Sequence, residues 1–352
     1  MSLTQSQRDN YYNILNKEVL ASEIYNLLKL HKEDNKDKIK LSGTKESLIE
    51  NLLSAATENI IDIVDIQSLI KDSEEFGDQN IFLFELTNSA KKTHYDNGNA
   101  IKDVITPVAL RNQFPRFVHQ PSGREWSDFR INYRGVQNSW MAKLYDRKIR
   151  ETKSDDYIDQ VTGQRVIQMR NEEFRMIYIA EWDGDNDVEI KFTRTSSESH
   201  KSIRTTMAII KNEVHGQGRG LQLDSDFRKK DLRRNIQNLI SNQATNTGIY
   251  TLISANFVDS EGGITLIKTK DDRGTSDLLA ESSRKGAIDS FMSGDGHAGG
   301  VVIRLLAAGS NNILSKDLNV AIGRDDYNHI VISSKIKPQE YRYVRRKIEE
   351  FS

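Results

Sequence analysis

Asp183, Asp185, Asp187, Glu189 and Lys191 crowd one short stretch of the chain. Carboxylates followed by a lysine can hold a divalent metal and polarise a scissile phosphate. The two-residue period of a strand puts Glu189 and Lys191 on one face. A metal-dependent nuclease using Asp187, Glu189 and Lys191 is therefore one reading. Against it, Asp183 and Asp185 sit with Gly184 and Asn186 in what reads as the turn of a single hairpin, and such turns commonly carry acids. A calcium loop is weaker still, because the glycine and the closing glutamate fall at the wrong offsets.

Two lysine- and arginine-rich clusters offer a different chemistry, contact with phosphate. Lys36, Lys38, Lys40 and Lys45 occupy one; Arg228, Lys229, Lys230, Arg233 and Arg234 occupy the other. Each can neutralise backbone phosphates without reading base sequence. Their plain alternative is a solvated surface. The glycines of residues 215–220 and 294–300 could approach an anion, but no P-loop lysine follows either loop. His297 stands alone there, and the seven histidines never pair at metal-ligand spacing. No catalytic residue, metal or cofactor is expected.

The elements that must position these groups begin with a helical head. Leu15, Val19, Leu20, Ile24, Leu27 and Leu28 recur at helical spacing, so residues 7–30 read as one or two amphipathic helices. Residues 31–40 are polar, and Ile39 and Leu41 flanking Lys40 suit a short extended piece. Ser42 or Thr44 caps a second helix whose buried stripe is Leu48, Ile49, Leu52 and Leu53. A further helix spans residues 62–72 and ends near Phe76-Gly77.

Helix, extended connector and then Ser42-Gly43-Thr44-Lys45 before Leu48, Ile49 and Leu52 resembles the SAP motif, a helix–extension–helix module that commonly binds DNA. The resemblance covers about 30 residues, with a connector several residues longer than the family's. It implies a DNA contact through the connector lysines and the free N–H groups at the second helix N-terminus. A helical head followed by a β-rich body beginning near Asn80 is also similar in architecture to the centromere-protein N family, which implies docking on nucleosomes; no functional residue is carried over from it. The acids at 183–191 resemble the Glu-x-Lys nuclease motif only in part, since that family draws its first aspartate from a separate strand.

In the body, residues 81–86 read as an apolar strand, 91–99 as a polar turn, and 104–120 as a helix or loop broken by prolines. Trp126, Phe129, Ile131 and Tyr133 open a strand that runs towards the basic cluster Arg147, Lys148 and Arg150. Residues 175–182 and 188–194 form a hairpin. Residues 199–214 suit a helix or a strand, and 215–220 a flexible basic loop. Residues 227–243 read as an amphipathic helix bearing the second basic cluster. Hairpin strands at 250–258 and 263–270, strands at 299–306 and 329–334, and a closing helix from Pro338 complete the chain. In that helix Tyr341, Val344 and Ile348 face inward while Arg342, Arg345, Arg346 and Lys347 stay wet. The mixture lacks βαβ regularity, so the fold class is α+β: a helical head at 1–78 and an α+β body at 79–352, with a subdivision near 245.

Charge is uneven. Residues 1–100 hold 11 Lys/Arg and 17 Asp/Glu, and the remainder 39 and 34, an acidic head on a mildly basic body. With no cysteine, disulfides and thiol chemistry are excluded. No apolar run reaches membrane-spanning length and no secretory signal opens the chain, which points to the cytoplasm, or to a nucleoid or nucleus if DNA-bound. The expectation is a non-enzymatic DNA-binding or DNA-docking protein whose body also contacts protein partners, with no membrane and no small-molecule substrate. The alternatives are the nuclease and a pure protein-interaction scaffold.

Overall fold

A computed structural model describes residues 3–195, 199–269, 277–294 and 296–352. Four helices open the chain. The Thr4 side chain accepts from the Gln7 N–H, starting α1 (Gln5–Glu18); α2 (Ala21–Lys32) follows after two residues. Thr44 caps α3 (Lys45–Thr57) and Asp62 caps α4 (Ile63–Glu75). Their apolar stripes meet in a core of Ile14, Leu15, Ile24, Leu28, Ile39, Leu48, Ile49, Leu52, Leu53, Ile66 and Ile70. Burying each such side chain stabilises by about 1.5–3 kcal/mol, and this helix-to-helix packing holds the head together.

The chain leaves α4 through Gly77, where φ is +78° and an added Cβ would lie 2.1 Å from the Ser334 carbonyl oxygen. Only glycine allows this turn against the neighbouring strand.

The body contains β1 (Gly77–Leu86), the short helices α5 (Lys92–Asp96) and α6 (Gly98–Ile105), then β2 (Glu125–Ile131), β3 (Trp140–Ile158), β4 (Arg165–Trp182) and β5 (Asp187–Thr193). Helix α7 (His200–His215), β6 (Phe227–Lys229), α8 (Arg233–Ser241), β7 (Tyr250–Val258), β8 (Ile264–Lys268) and α9 (Ser282–Ser293) follow. The chain closes with β9 (His297–Leu305), β10 (Leu318–Ile322), β11 (His329–Lys335) and α10 (Pro338–Glu350). The strands form one antiparallel sheet in the order β2-β3-β4-β5-β1-β11-β10-β9-β7-β8, with β6 continuing the edge of β1 that β11 leaves free. The architecture is α+β, and one sheet runs through the whole body; position 245 falls within it, between α8 and β7. Among the described residues no helix is long and apolar enough to cross a membrane.

Strand β1 lies at the centre and serves a core on each face. Phe82 and Phe84 point into a cluster with Trp140, Tyr178, Trp182 and Ile190 beneath α5, α6 and α7. Ile81 and Leu83 point the other way, among Ile236, Leu252, Ile303, Val320 and Val344 beneath α8 and α10. This inside-outside alternation is the period of a strand covered on both sides.

Several local expectations need correction. Residues 227–243 are not one helix: Phe227–Lys229 pair with β1 at Phe84–Leu86, where unpaired backbone groups require partners, and helix begins only at Arg233. The polar stretch 91–99 holds two short helix segments, and His297 lies in β9 rather than in a loop; of the helix or strand expected at 199–214 the helix forms, as α7 with Ser199 as its cap. Asp295 and Lys270, within the expected loop and hairpin, lie outside the described residues. The hairpin at 175–194 forms, but β4 starts ten residues earlier and pairs with β3 along its length. In α10, Arg345 is buried rather than wet, because Glu189 lies 2.7 Å from it.

Candidate nucleic-acid interface and a buried charge network

The head connector is built as a turn at residues 33–38 followed by an extended run to Thr44. Ile39 is fully buried and fixes it to the core. Lys32 reaches across to the Lys36 and Ile39 carbonyls, and the Asn51 side-chain amide donates to the Lys40 carbonyl. With its backbone tied down this way, the connector turns Lys36, Lys38 and Lys40 to solvent. Lys38 lies 3.2 Å from Glu58, but both side chains are more than half exposed, so the pair holds Lys38 weakly. Lys45 does not join them. Its ammonium donates to the Asn16 carbonyl beyond α3, and burial lowers its pKa. The carbonyl at the end of α1 is a ready acceptor for that cation.

The second cluster is largely neutralised in place. Arg228 meets Glu85 at 2.6 Å, Lys229 pairs with Asp326, Lys230 with Asp187, and Arg233 forks onto Asp231. Lys229 and Arg233 also lie over the Tyr327 ring, at 5.5 and 5.3 Å. Arg234 is exposed and has no ion pair among the described residues. Splitting 227–243 into a strand and a helix spreads these cations over two elements instead of one helix face.

Asp187, Glu189 and Lys191 do share one face of β5, as the strand period predicts. The structure commits each of them elsewhere. Asp187 holds Lys230; Glu189 accepts from Tyr341 and lies 2.7 Å from Arg345; Lys191 is fully buried, 2.6 Å from Glu181. Burial alone would raise the Glu189 pKa, yet Arg345 and Lys191 outweigh it and hold the carboxyl down. Asp183 accepts the Asp185 and Asp187 N–H groups and so closes its own turn. Among the described residues no group of three histidine, aspartate or glutamate side chains is placed to hold a metal ion.

These residues are one end of a charge network that crosses the sheet to the head. Glu181 continues to Arg134 at 3.0 Å, whose guanidinium stacks over Phe76, Tyr133 and Tyr341. At the other end, Glu74 and Glu75 of α4 project onto β2, β3 and β4. Lys143 lies between them at 2.9 and 2.8 Å, with 1% of its side chain exposed. Arg175 meets Glu74 at 2.7 Å, Arg130 pairs with Glu75, and the Tyr145 and Tyr133 hydroxyls donate to Glu74 and Glu75 at 2.8 Å each. Burial raises the pKa of both glutamates, but Lys143 and the arginines prevail and lower it. The network is the interface by which head and sheet recognise each other. Its sequence signal is a charged residue inside an apolar strand run, as in Trp140-Met-Ala-Lys143-Leu-Tyr145 and Ile179-Ala-Glu181-Trp182. Such a residue requires a buried partner.

A third polar cluster lies beside α7. The buried His329 ring stacks on Phe82, with Nε2 3.0 Å from Asn80 Oδ1 and Nδ1 3.2 Å from Asp325, which also meets His200 at 3.0 Å. It borders a cavity of about 290 Å³ walled by Ile203, Met207 and Phe84.

No family model matches the sequence, and no curated protein matches it.

Proposed function

We propose that this is a non-enzymatic docking protein that contacts DNA through its helical head, in the manner of the SAP-like module the head resembles. The observation that carries the reading is the connector. Three lysines, Lys36, Lys38 and Lys40, stand exposed on a backbone held by side-chain hydrogen bonds, whereas four of the five body cations are held by carboxylates. A fixed backbone lowers the ordering cost of binding, and each lysine that meets a phosphate releases a counterion. Lys45, anchored on Asn16, shapes the module rather than touching phosphate. The acidic surroundings of the head keep this contact weak, sensitive to salt and indifferent to base sequence.

Binding of a fluorescent duplex across a salt series tests it. With about three phosphate contacts, the logarithm of affinity falls against the logarithm of salt with a slope of roughly −2.7. Lys36→Glu, Lys38→Glu and Lys40→Glu combined should abolish binding at low salt. Undetectable binding by the wild type, or unchanged binding by the triple variant, refutes the reading.

A pure protein-interaction scaffold is the second reading. It is favoured by a separate observation, the long β3–β4 hairpin that leaves the body with apolar side chains in solvent.

A further inference from the structure

His200, Ile203, Arg204, Met207 and Lys211 fall at i, i+3, i+4, i+7 and i+11, so they share one face of α7. That face looks across the cavity of about 290 Å³ at Phe82 and Phe84 of β1, Lys229 of β6, and Asp325 and Asp326 of the β10–β11 turn. The middle of the cavity is apolar, since the rings of Phe82 and Phe84 meet the buried side chains of Ile203 and Met207 there. Its polar groups are of two kinds. The first is an oriented imidazole. Burial alone would raise the Asp325 pKa, but the His329 ring beside it, with His200 and Arg324, holds the carboxyl down. Asp325 Oδ1 lies 3.0 Å from His200 Nδ1 and accepts the proton on that nitrogen. The neutral His200 ring then keeps its Nε2 lone pair free as an acceptor at the cavity wall. The second kind is cationic. Lys229 is held by Asp326 and Lys211 by Asp224. Arg204, one turn from His200, is exposed and has no ion pair among the described residues.

We propose that this cavity binds a small aromatic monocarboxylic acid whose ring carries a hydroxyl. The carboxylate meets Arg204, whose planar fork matches it, with Lys211 further along the same helix face. The ring lies between Ile203 and Met207 on one side and Phe84 on the other, where aromatic and sulfur contacts add to the burial of apolar area. The ring hydroxyl donates to His200 Nε2. His200 and Arg204 are about 6 Å apart along the helix axis, a separation that one substituted ring bridges. The volume lies at the small end of ligand cavities, which limits the ligand to a single ring and a short acid chain. Charge limits it as well. Asp325 and Asp326 close the opposite wall and repel a second negative charge, so a polyanion or a phosphate dianion is disfavoured. No residue of the head lines the cavity, and the site stands apart from the proposed DNA contact.

The test titrates 4-hydroxyphenylacetate, to roughly 10 mM, into the full chain carrying isotope-labelled methionine methyl groups, read by NMR. The chain has six methionines. Met207 lines this cavity, whereas Met176 lines the neighbouring one that shares Ile203, so the spectrum locates the ligand. The Met207 signal, assigned with Met207→Leu, should shift and saturate while that of Met176 stays in place. Two relatives of the probe separate its parts. 4-Hydroxyphenethyl alcohol lacks the charge and phenylacetate lacks the hydroxyl, and each should bind at least about fivefold more weakly. Arg204→Gln should weaken the hydroxy acid about tenfold or more and erase its advantage over the alcohol. His200→Phe should erase its advantage over phenylacetate and leave its advantage over the alcohol. Both positions are exposed, and unchanged circular dichroism verifies folding. An unmoved Met207 signal at the highest concentration, a shift at Met176 in its place, or equal losses for all three compounds in both variants overturns the proposal.

Discussion

Replacing Lys143 with methionine tests whether the buried network holds head and sheet together. The ammonium lies 2.9 Å from Glu74 and 2.8 Å from Glu75, and all three side chains are at most 2% exposed. At an effective dielectric constant of 20, each contact contributes roughly 6 kcal/mol of gross attraction, most of it offset by the cost of removing three charges from water. Methionine keeps the shape of the lysine stem but removes its charge. Glu74 then retains Arg175 and Tyr145, and Glu75 retains Arg130 and Tyr133, so each carboxylate is left partly compensated. Removing one partner of a buried pair costs about 3–5 kcal/mol, a large share of the 5–15 kcal/mol that keeps a domain folded. Urea unfolding at neutral pH, followed by tryptophan fluorescence, measures the loss. Trp126, Trp140 and Trp182 lie on β2, β3 and β4, so the signal reports the strands on which the network rests. Adding Glu75→Gln to Lys143→Met should recover part of the loss, since one buried charge fewer remains unbalanced. A Lys143→Met variant within about 1 kcal/mol of the wild type would refute the reasoning, because that is the scale of a surface pair.

Three further outcomes follow from individual residues. Glu75 has its folded-state pKa lowered from 4.5 to about 2, so its contribution is complete above 4.5 and is lost as pH falls through 2; acid titration should show stability dropping across that window, and Glu75→Gln should flatten the drop. Gly77→Ala should cost roughly 2–4 kcal/mol by calorimetry, because alanine is strained at φ +78° and its Cβ collides with the Ser334 carbonyl. Reversing Arg228 and Lys229 to glutamate should change duplex affinity by less than about twofold, since both cations are already held by Glu85 and Asp326; a tenfold loss would return the DNA contact to the body.

Much of the fold was legible in the sequence because its signals were local. The stripes of α1 to α4, the Thr44 cap and the Asp183–Asn186 turn each follow from side-chain period or turn chemistry within a few residues. The outer part of the β3–β4 hairpin was not, because residues 147–170 are partly or fully exposed and mix apolar with charged side chains on both faces, without the sequence alternation that marks a half-buried strand. Strand β6 was hidden for another reason: Phe227–Lys229 is extended because β1 has a vacant edge there, a fact located some 140 residues away in the chain. The lysine clusters were visible as composition, but their availability was not. Whether Lys230 is free depends on Asp187, and whether Lys45 is free depends on Asn16. Likewise, Glu189 and Lys191 carry the spacing of a metal site, and only the packing of Tyr341, Arg345 and Glu181 around them shows that they are occupied with each other.

Hydrogen–deuterium exchange of the full chain, with and without a duplex of about 20 base pairs at low salt, tests the docking account most directly. The account predicts slowed exchange confined to residues 33–46, with residues 227–234 unchanged. Protection centred on residues 227–234, or no protection anywhere under conditions that saturate binding, would contradict it.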